Sequence, residues 1–288
     1  MKKLIFYSII TFLFLSCEKK TDPTPVTPVL KGFITESTSP RRTVKSIYSL
    51  IYSNDKFSNL QRIDTIREAD LSLTGTPILN NIVTEEAFNG YKMSSDFAAS
   101  INGIYIVSKV ENIAQKIANG YEISTAQGNA LTVYFQIELN ANNQVAKYSN
   151  TKIVSTDING VRKETFQNSY YRFEFDTKGN IIKAFEKNNG ASTELLSAEY
   201  TYDDKPNPYK VLRWVFRLSG VGLGLAGSES INNVLTSKNY QQGVLLTETT
   251  SVYTYDAQTG YPLTLITSGK SFNPNSGVGT SKTTFKYK

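Results

Sequence analysis

The feature that most constrains this chain is a unit that it repeats. "YYRFEFDTKGNIIKAFEK", Tyr170 to Lys187, alternates large and polar side chains, turns at Lys-Gly-Asn, then alternates again. "YSLIYSNDKFSNLQRI", "VYFQIELNANNQVAKY", "AEYTYDDKPNPYKVLR" and "SVYTYDAQTGYPLTLI" share its frame, and the final "KTTFKYK" is half a unit. That frame is aromatic, any residue, aromatic, a short Asp/Asn/Gly/Pro turn, then an aliphatic return. Alternation at a period of two sends successive side chains to opposite faces, so each unit predicts an antiparallel hairpin with one face toward a core. A lone hairpin is marginal, and several must join one sheet to bury that face. Uneven spacing argues against a solenoid of fixed period. The expected fold is all-β, an antiparallel meander of hairpins forming a strongly curved sheet or incomplete barrel.

Turn chemistry supports this. Asn-Gly occurs at Asn89-Gly90, Asn102-Gly103, Asn119-Gly120, Asn159-Gly160 and Asn189-Gly190; it suits the type I′ turn, whose two central residues need positive φ. In "LTVYFQIEL", Leu131, Val133, Phe135, Ile137 and Leu139 share one face, as in a half-buried strand. The Asp of "YD" (Asp203, Asp256) is expected to cap its own turn. "SKVENIAQKIANG", Ser108 to Gly120, has both a capping-box spacing and strand parity, and its strand neighbours favour a strand. "KVLRWVFRL", Lys210 to Leu218, can also be read as a strand. Eighteen Tyr and fifteen Phe fit this class, because aromatic side chains suit a pleated, half-buried surface.

The N-terminus is basic, then apolar from Leu4 to Leu15, then small at Ser16, and it reaches the chain's single cysteine, Cys17. The apolar run is too short to span a bilayer and fits a secretory h-region. "EKKTDPTPVTPVLKG" follows, with proline and threonine that disfavour a helix and favour an extended tether. The expected organisation is a signal peptide over residues 1–16, a Pro/Thr-rich tether over 17–43 and a single β domain over 44–288. The net charge is +6, or +4 once Lys2 and Lys3 are set aside with the leader, and it is evenly spread. That is no nucleic-acid footprint, so no nucleic-acid partner is expected.

"LFLSC" resembles the lipobox of bacterial lipoproteins, which implies acylation of Cys17 and cleavage just before it. "FEFDTKGNIIKAF" and "YTYDAQTGYPLTLI" resemble YD-repeat hairpins. Together with the lipobox, "YTYDDKPNPYKVL" and "SESINNVLTSKNY", they resemble the uncharacterised Bacteroidota lipoproteins of β-rich, partly barrel-like fold. The resemblance is firmest from Leu131 onward. It implies a membrane partner through acylated Cys17 and an outer-membrane location. "CEKK" lacks an acidic export run, which implies a periplasm-facing protein. The resemblance carries no catalytic residues to transfer.

Several chemistries are excluded or disfavoured. With no histidine there is no Ser-His-Asp or Cys-His catalysis and no histidine ligand for a metal. A single cysteine allows no internal disulfide and no cysteine cluster for zinc. No D-x-D-x-D-G loop offers calcium a site, so no metal and no cofactor are expected. "GLGLAG", Gly222 to Gly227, satisfies G-x-G-x-x-G, but no βαβ pattern surrounds it, and a loop is the better reading. Glu85-Glu86 and Asp203-Asp204 are sequence neighbours, which on a strand point to opposite faces. Trp214, Tyr209 and Tyr261 sit at or near turns and are the candidates for stacking on a ligand. The expected function is therefore a binding or structural module without catalysis, taking a glycan, a lipid or an envelope protein. The alternative is a histidine-free hydrolase, such as a glycosidase using paired carboxylates.

Overall fold

The computed structural model describes residues 27–39, 42–53, 56–68, 78–86, 90–101, 104–127, 131–219, 225–272 and 279–288. Cys17, the expected signal peptide and the expected tether up to residue 26 lie outside the described residues. Among the described residues, seventeen strands account for most of the structure. The first nine are β1 (Leu30–Ser39), β2 (Arg42–Ser53), β3 (Lys56–Glu68), β4 (Ile78–Glu86), β5 (Gly90–Ile101), β6 (Ile104–Ile117), β7 (Gly120–Gln127), β8 (Leu131–Leu139) and β9 (Val145–Thr156). The remainder are β10 (Arg162–Phe166), β11 (Tyr170–Phe175), β12 (Ile181–Lys187), β13 (Leu195–Pro206), β14 (Asn232–Gln241), β15 (Val244–Tyr255), β16 (Pro262–Ser271) and β17 (Thr280–Tyr287).

Every pairing is antiparallel and nearly all join chain neighbours, as a meander requires. β10 and β11 both pair with β9, β10 along Lys152–Thr156 and β11 along Lys147–Ser149, so they share one place in the wall. The strongly curved meander of hairpins is what forms. Its curvature carries the last strand round to the first: β17 pairs with β1 from Leu30↔Tyr287 to Thr38↔Thr280, while the other side of β1 pairs with β2. A ring of pairings leaves few strand edges open for another chain to extend.

The repeated units behave as hairpins where their turns carry an Asx cap. Asp176 Oδ1 accepts from the backbone N–H of Lys178 and Asn180 at 2.9 and 2.8 Å, and Gly179 takes φ +90°. Asp157, Asn140 and Asp256 hold their turns in the same way, with Gly160, Asn143 and Gly260 at positive φ. The strand reading of Ser108 to Ile117 holds: the stretch lies in β6, where Ala114 and Asn112 face Ile123 and Thr125 of β7.

Two stretches depart from expectation. Leu30–Ser39, read as the end of the tether, is β1 and completes the ring. "AEYTYDDKPNPYKVLR" is not a hairpin. β13 ends at Pro206, Asn207 caps a 3₁₀ turn over Pro208–Leu212 by accepting from Tyr209 N–H at 2.9 Å, and α1 (Arg213–Ser219) follows. A proline at the first helical position loses no hydrogen bond, since that N–H has no intrahelical partner anyway. Leu212, Val215 and Leu218 recur every three residues and are all buried, a helical stripe within what reads as an alternating strand. "GLGLAG" lies partly outside the described residues, and its end, Leu225–Gly227, opens α2 (Leu225–Glu229) rather than a loop. The described parts of the segment, residues 207–219 and 225–231, fold inward and plug one end of the ring. Tyr209 packs edge-on against Phe33 and Phe285, at 5.4 and 5.5 Å between ring centroids, while α1 meets β4, β5 and β6.

Candidate functional site

A barrel wall with alternating side chains has two faces, and here they differ sharply. Along β2 the inward residues run Val44, Ser46, Tyr48, Leu50, Tyr52 from the open end to the plugged end. On β15 they run Thr247, Thr249, Ser251, Tyr253, Tyr255, on β17 Ser281, Thr283, Phe285, Tyr287, and on β1 Ser37, Thr35, Phe33. The plugged half is thus aromatic and aliphatic, and the open half is lined by hydroxyls. Thr35 and Thr283 share a hydrogen bond at 2.9 Å, and Asn239 donates to Thr247 at 3.0 Å. In this sector the open half presents an open cavity of about 420 Å³, bordered in part by Ser37, Val44, Thr247, Thr249, Thr267 and Ser281. These six are uncharged, and Lys270 is the charged residue on the border. Aromatic rings lie directly below, with Phe33 stacked on Tyr48 at 4.2 Å and Tyr253 beside Tyr255 at 5.9 Å.

The outward face is charged. Lys45 meets Glu36 at 3.0 Å across β1 and β2, Lys92 meets Glu111 at 3.4 Å across β5 and β6, and Lys147 meets Glu138 at 3.2 Å across β8 and β9. Arg172 reaches both Glu174 and Glu194, and Glu248 of β15 stands between Lys238 and Lys270. Outward apolar residues such as Ile47, Ile113, Val252 and Ile266 are exposed, and Val252 and Ile266 are cross-strand partners, so they form small patches among the charged pairs. An Arg or Lys facing hydrocarbon at mid-bilayer costs about 2–4 kcal/mol, and lipid-facing barrels carry an apolar belt instead. The described side chains of this wall suit contact with water.

The plug is held by a polar hub built largely from "SESINN", Ser228 to Asn233, most of it buried. Arg217 and Glu229 form a bidentate ion pair at 2.6 and 2.8 Å, fully inside the protein. Arg217 Nη2 also donates to the Asn143 carbonyl at 2.7 Å, and Gln144 donates to the carbonyls of Gly179 and Glu229, each at 2.8 Å. Ser230 Oγ accepts from Ile181 N–H at 3.1 Å, and Asn232 is bonded to Asn180 in both directions. The hub therefore ties the plug to the β8–β9 and β11–β12 turns.

The three aromatics singled out from sequence all lie at this end. Trp214 stacks on Tyr91 at 3.6 Å, meets Tyr121 edge-on at 5.0 Å and has the Arg217 guanidinium 4.9 Å from its ring centroid. Tyr209 is the aromatic peg between Phe33 and Phe285, and burial pushes its hydroxyl pKa well above the ordinary range. Tyr261 packs edge-on to Tyr287 at 5.7 Å and borders a cavity of about 320 Å³ with Tyr52, Phe57 and Lys210. Tyr209 and Trp214 belong to one aromatic layer between plug and wall, and Tyr261 stands apart on the outer rim. The hydroxyl wall of the open half escaped sequence reasoning, because Ser and Thr at alternate strand positions carry no motif.

Carboxylates in the interior have structural partners. Glu229 is neutralised by Arg217, while Asp203 accepts from Lys205 N–H, Asn233 and the Tyr255 hydroxyl. The Glu85 and Glu86 side chains lie outside the described residues. No group of three or more Asp, Glu or Cys that could hold a metal occurs among the described residues.

Asp176, Glu194 and Asp256, each held below the ordinary carboxylate range, contribute to the acid limit of stability. Burial acts to raise the Asp176 pKa, but hydrogen bonds from Asn180, Lys178 and Gly179 outweigh it and hold the group below its ordinary value. The Arg172 guanidinium does the same for Glu194. A folded pKa below the unfolded one gives stability that is complete above the ordinary carboxylate range and is lost as pH falls through the lowered values. Thermal unfolding should then be flat from about pH 5 to 8, where no histidine titrates, with Tm falling below about pH 4. A midpoint that changes steeply between pH 6 and 8 would contradict this.

No family model matches the chain, and no curated protein matches it. Among solved structures it is similar to a porin-like protein from Bacteroides uniformis, at 9% identity and a TM-score of 0.50, covering 90% of this chain and 98% of that one. The likeness is one of fold, an all-β antiparallel meander.

Proposed function

We propose that this chain is an envelope lipoprotein, tethered through acylated Cys17, whose barrel is a water-facing cup that binds a neutral, hydroxyl-rich ligand of the carbohydrate class. The observation that carries this reading is the inner wall. Uncharged hydroxyls of β15, β16, β17 and β1 line one sector of the open half, with Lys270 at its border, and tyrosine and phenylalanine rings form the floor beneath. Sugars are held by that combination, with hydroxyls exchanging hydrogen bonds and rings covering the apolar C–H faces. A lipid would need apolar walls in place of hydroxyls. The ion-paired outer wall supports a barrel standing in water on its tether rather than crossing the bilayer.

The test is calorimetric titration of neutral oligosaccharides into the protein, compared with Thr249→Val/Thr267→Val and with Tyr261→Ala. Binding lost on the paired valine substitutions and kept on Tyr261→Ala is the expected result. Saturable binding that survives the valine pair, or that needs Tyr261 instead, would move the site to the plugged end. Failure of every neutral sugar to bind, with binding of acyl chains, would overturn the ligand class.

A further inference from the structure

We infer that the plugged end of the barrel is a docking face for phosphate-bearing lipid head groups, an inference that rests on the proposed tether through Cys17. Both ends of the folded chain emerge at the plug. Lys288 N–H donates to the Val29 carbonyl at 3.1 Å, and Pro28 borders the same outer cavity as Tyr261 and Lys210. Residues 18–27 are all that separates Cys17 from Pro28. At roughly 3.3–3.6 Å per extended residue, an acylated Cys17 keeps this face within about 35 Å of the bilayer. The plug face is then tethered nearer the head groups than the open rim.

That face is built for an anion. A cavity of about 180 Å³ opens there between the β11–β12 turn and the plug, bordered by Lys178, Lys210 and Arg213. None of the three makes an ion pair among the described residues, whereas ion pairs are frequent on the side wall. The acids nearby are already engaged. Asp176 holds its own turn, Asp256 does likewise, Asp204 pairs with Lys205, and Glu229, on the cavity wall, is neutralised by Arg217. Lys116, Lys286 and Lys288 add exposed charge at the same end. Three cations bordering one cavity, none of them in an ion pair among the described residues, fit a phosphate diester, and each Lys or Arg near an anionic surface adds about fivefold to partitioning.

The acylated full-length protein is reconstituted into vesicles of phosphatidylcholine alone or with 30% phosphatidylglycerol, and floated; amide exchange is then followed at residues 176–180 and 208–213. The expected result is flotation with both vesicles, and exchange at those segments slowed severalfold only with phosphatidylglycerol, an effect lost in Lys178→Gln/Lys210→Gln/Arg213→Gln and in high salt. Salt reversal in the unaltered protein keeps the test decisive if the triple variant folds poorly. Equal exchange in both vesicles overturns the docking face while leaving the anchor intact. Absence from the floated fraction overturns the anchor instead. Equal slowing by inorganic phosphate on neutral vesicles would assign the cavity to the free ion and overturn the lipid assignment.

Discussion

Replacing Glu229 with glutamine is expected to lower the unfolding free energy by about 3–5 kcal/mol, because it leaves the fully buried Arg217 guanidinium without its counter-charge. The penalty is large for reasons beyond the pair. Arg217 Nη1 already has no hydrogen-bond partner among the described residues, so little is available to share the stranded charge. Glu229 also accepts from Val145 N–H at 3.4 Å, on the first residue of β9, and couples the plug to the wall. Urea denaturation followed by far-UV circular dichroism measures the loss. The double change Arg217→Met/Glu229→Leu removes both charges and is expected to recover most of it, since buried ion pairs rarely outperform apolar packing of similar volume. A loss under about 1 kcal/mol for the single change would mean that the pair does not anchor the plug.

The second large effect is expected at Trp214. Truncation to alanine removes the ring that fills the space between Tyr91, Tyr121 and Arg217, and aromatic-to-alanine changes in cores cost about 3–5 kcal/mol. Trp214→Phe keeps an aromatic surface against Tyr91 and should retain most of the stability. Tyr261→Ala, which loses one edge contact at the rim, should cost about 1 kcal/mol or less. The contrast separates the two roles: a residue of the plug–wall layer is read out in the denaturation midpoint, a rim residue is not. Equal effects at the two positions would refute the division.

Much of this fold is legible in the sequence because strand alternation and Asx-capped turns are local. "YYRFEFDTKGNIIKAFEK" becomes β11, its turn and β12, with Phe173 buried and Asp176 holding the turn by its own side chain. Asp256 caps as its "YD" context predicts, while Asp203 caps and also reaches across to Asn233 and Tyr255. What stays hidden is non-local. The pairing of β1 with β17 joins residues some 250 positions apart and has no signature in either strand. "KVLRWVFRL" alternates enough to pass for a strand, yet the buried stripe of Leu212, Val215 and Leu218 and the Pro-Asn-Pro break before it make a helix inside the ring. The hub residues of "SESINN" read as an ordinary polar turn until the plug brings Asn180, Gln144 and Arg217 to them. The hydroxyl wall is illegible for a similar reason. Each strand contributes only one to three Ser or Thr, and only the ring assembles them.

The central claim is that the outer wall of this barrel faces water. It is tested most directly by preparing the chain from residue 18 onward, without an acyl group, in buffer free of detergent. The expected result is a monodisperse monomer by size-exclusion with light scattering, with a β-type circular dichroism spectrum unchanged when micelles are added. Aggregation relieved only by detergent, or transfer of the folded protein into a detergent phase, would contradict it and place the wall in hydrocarbon.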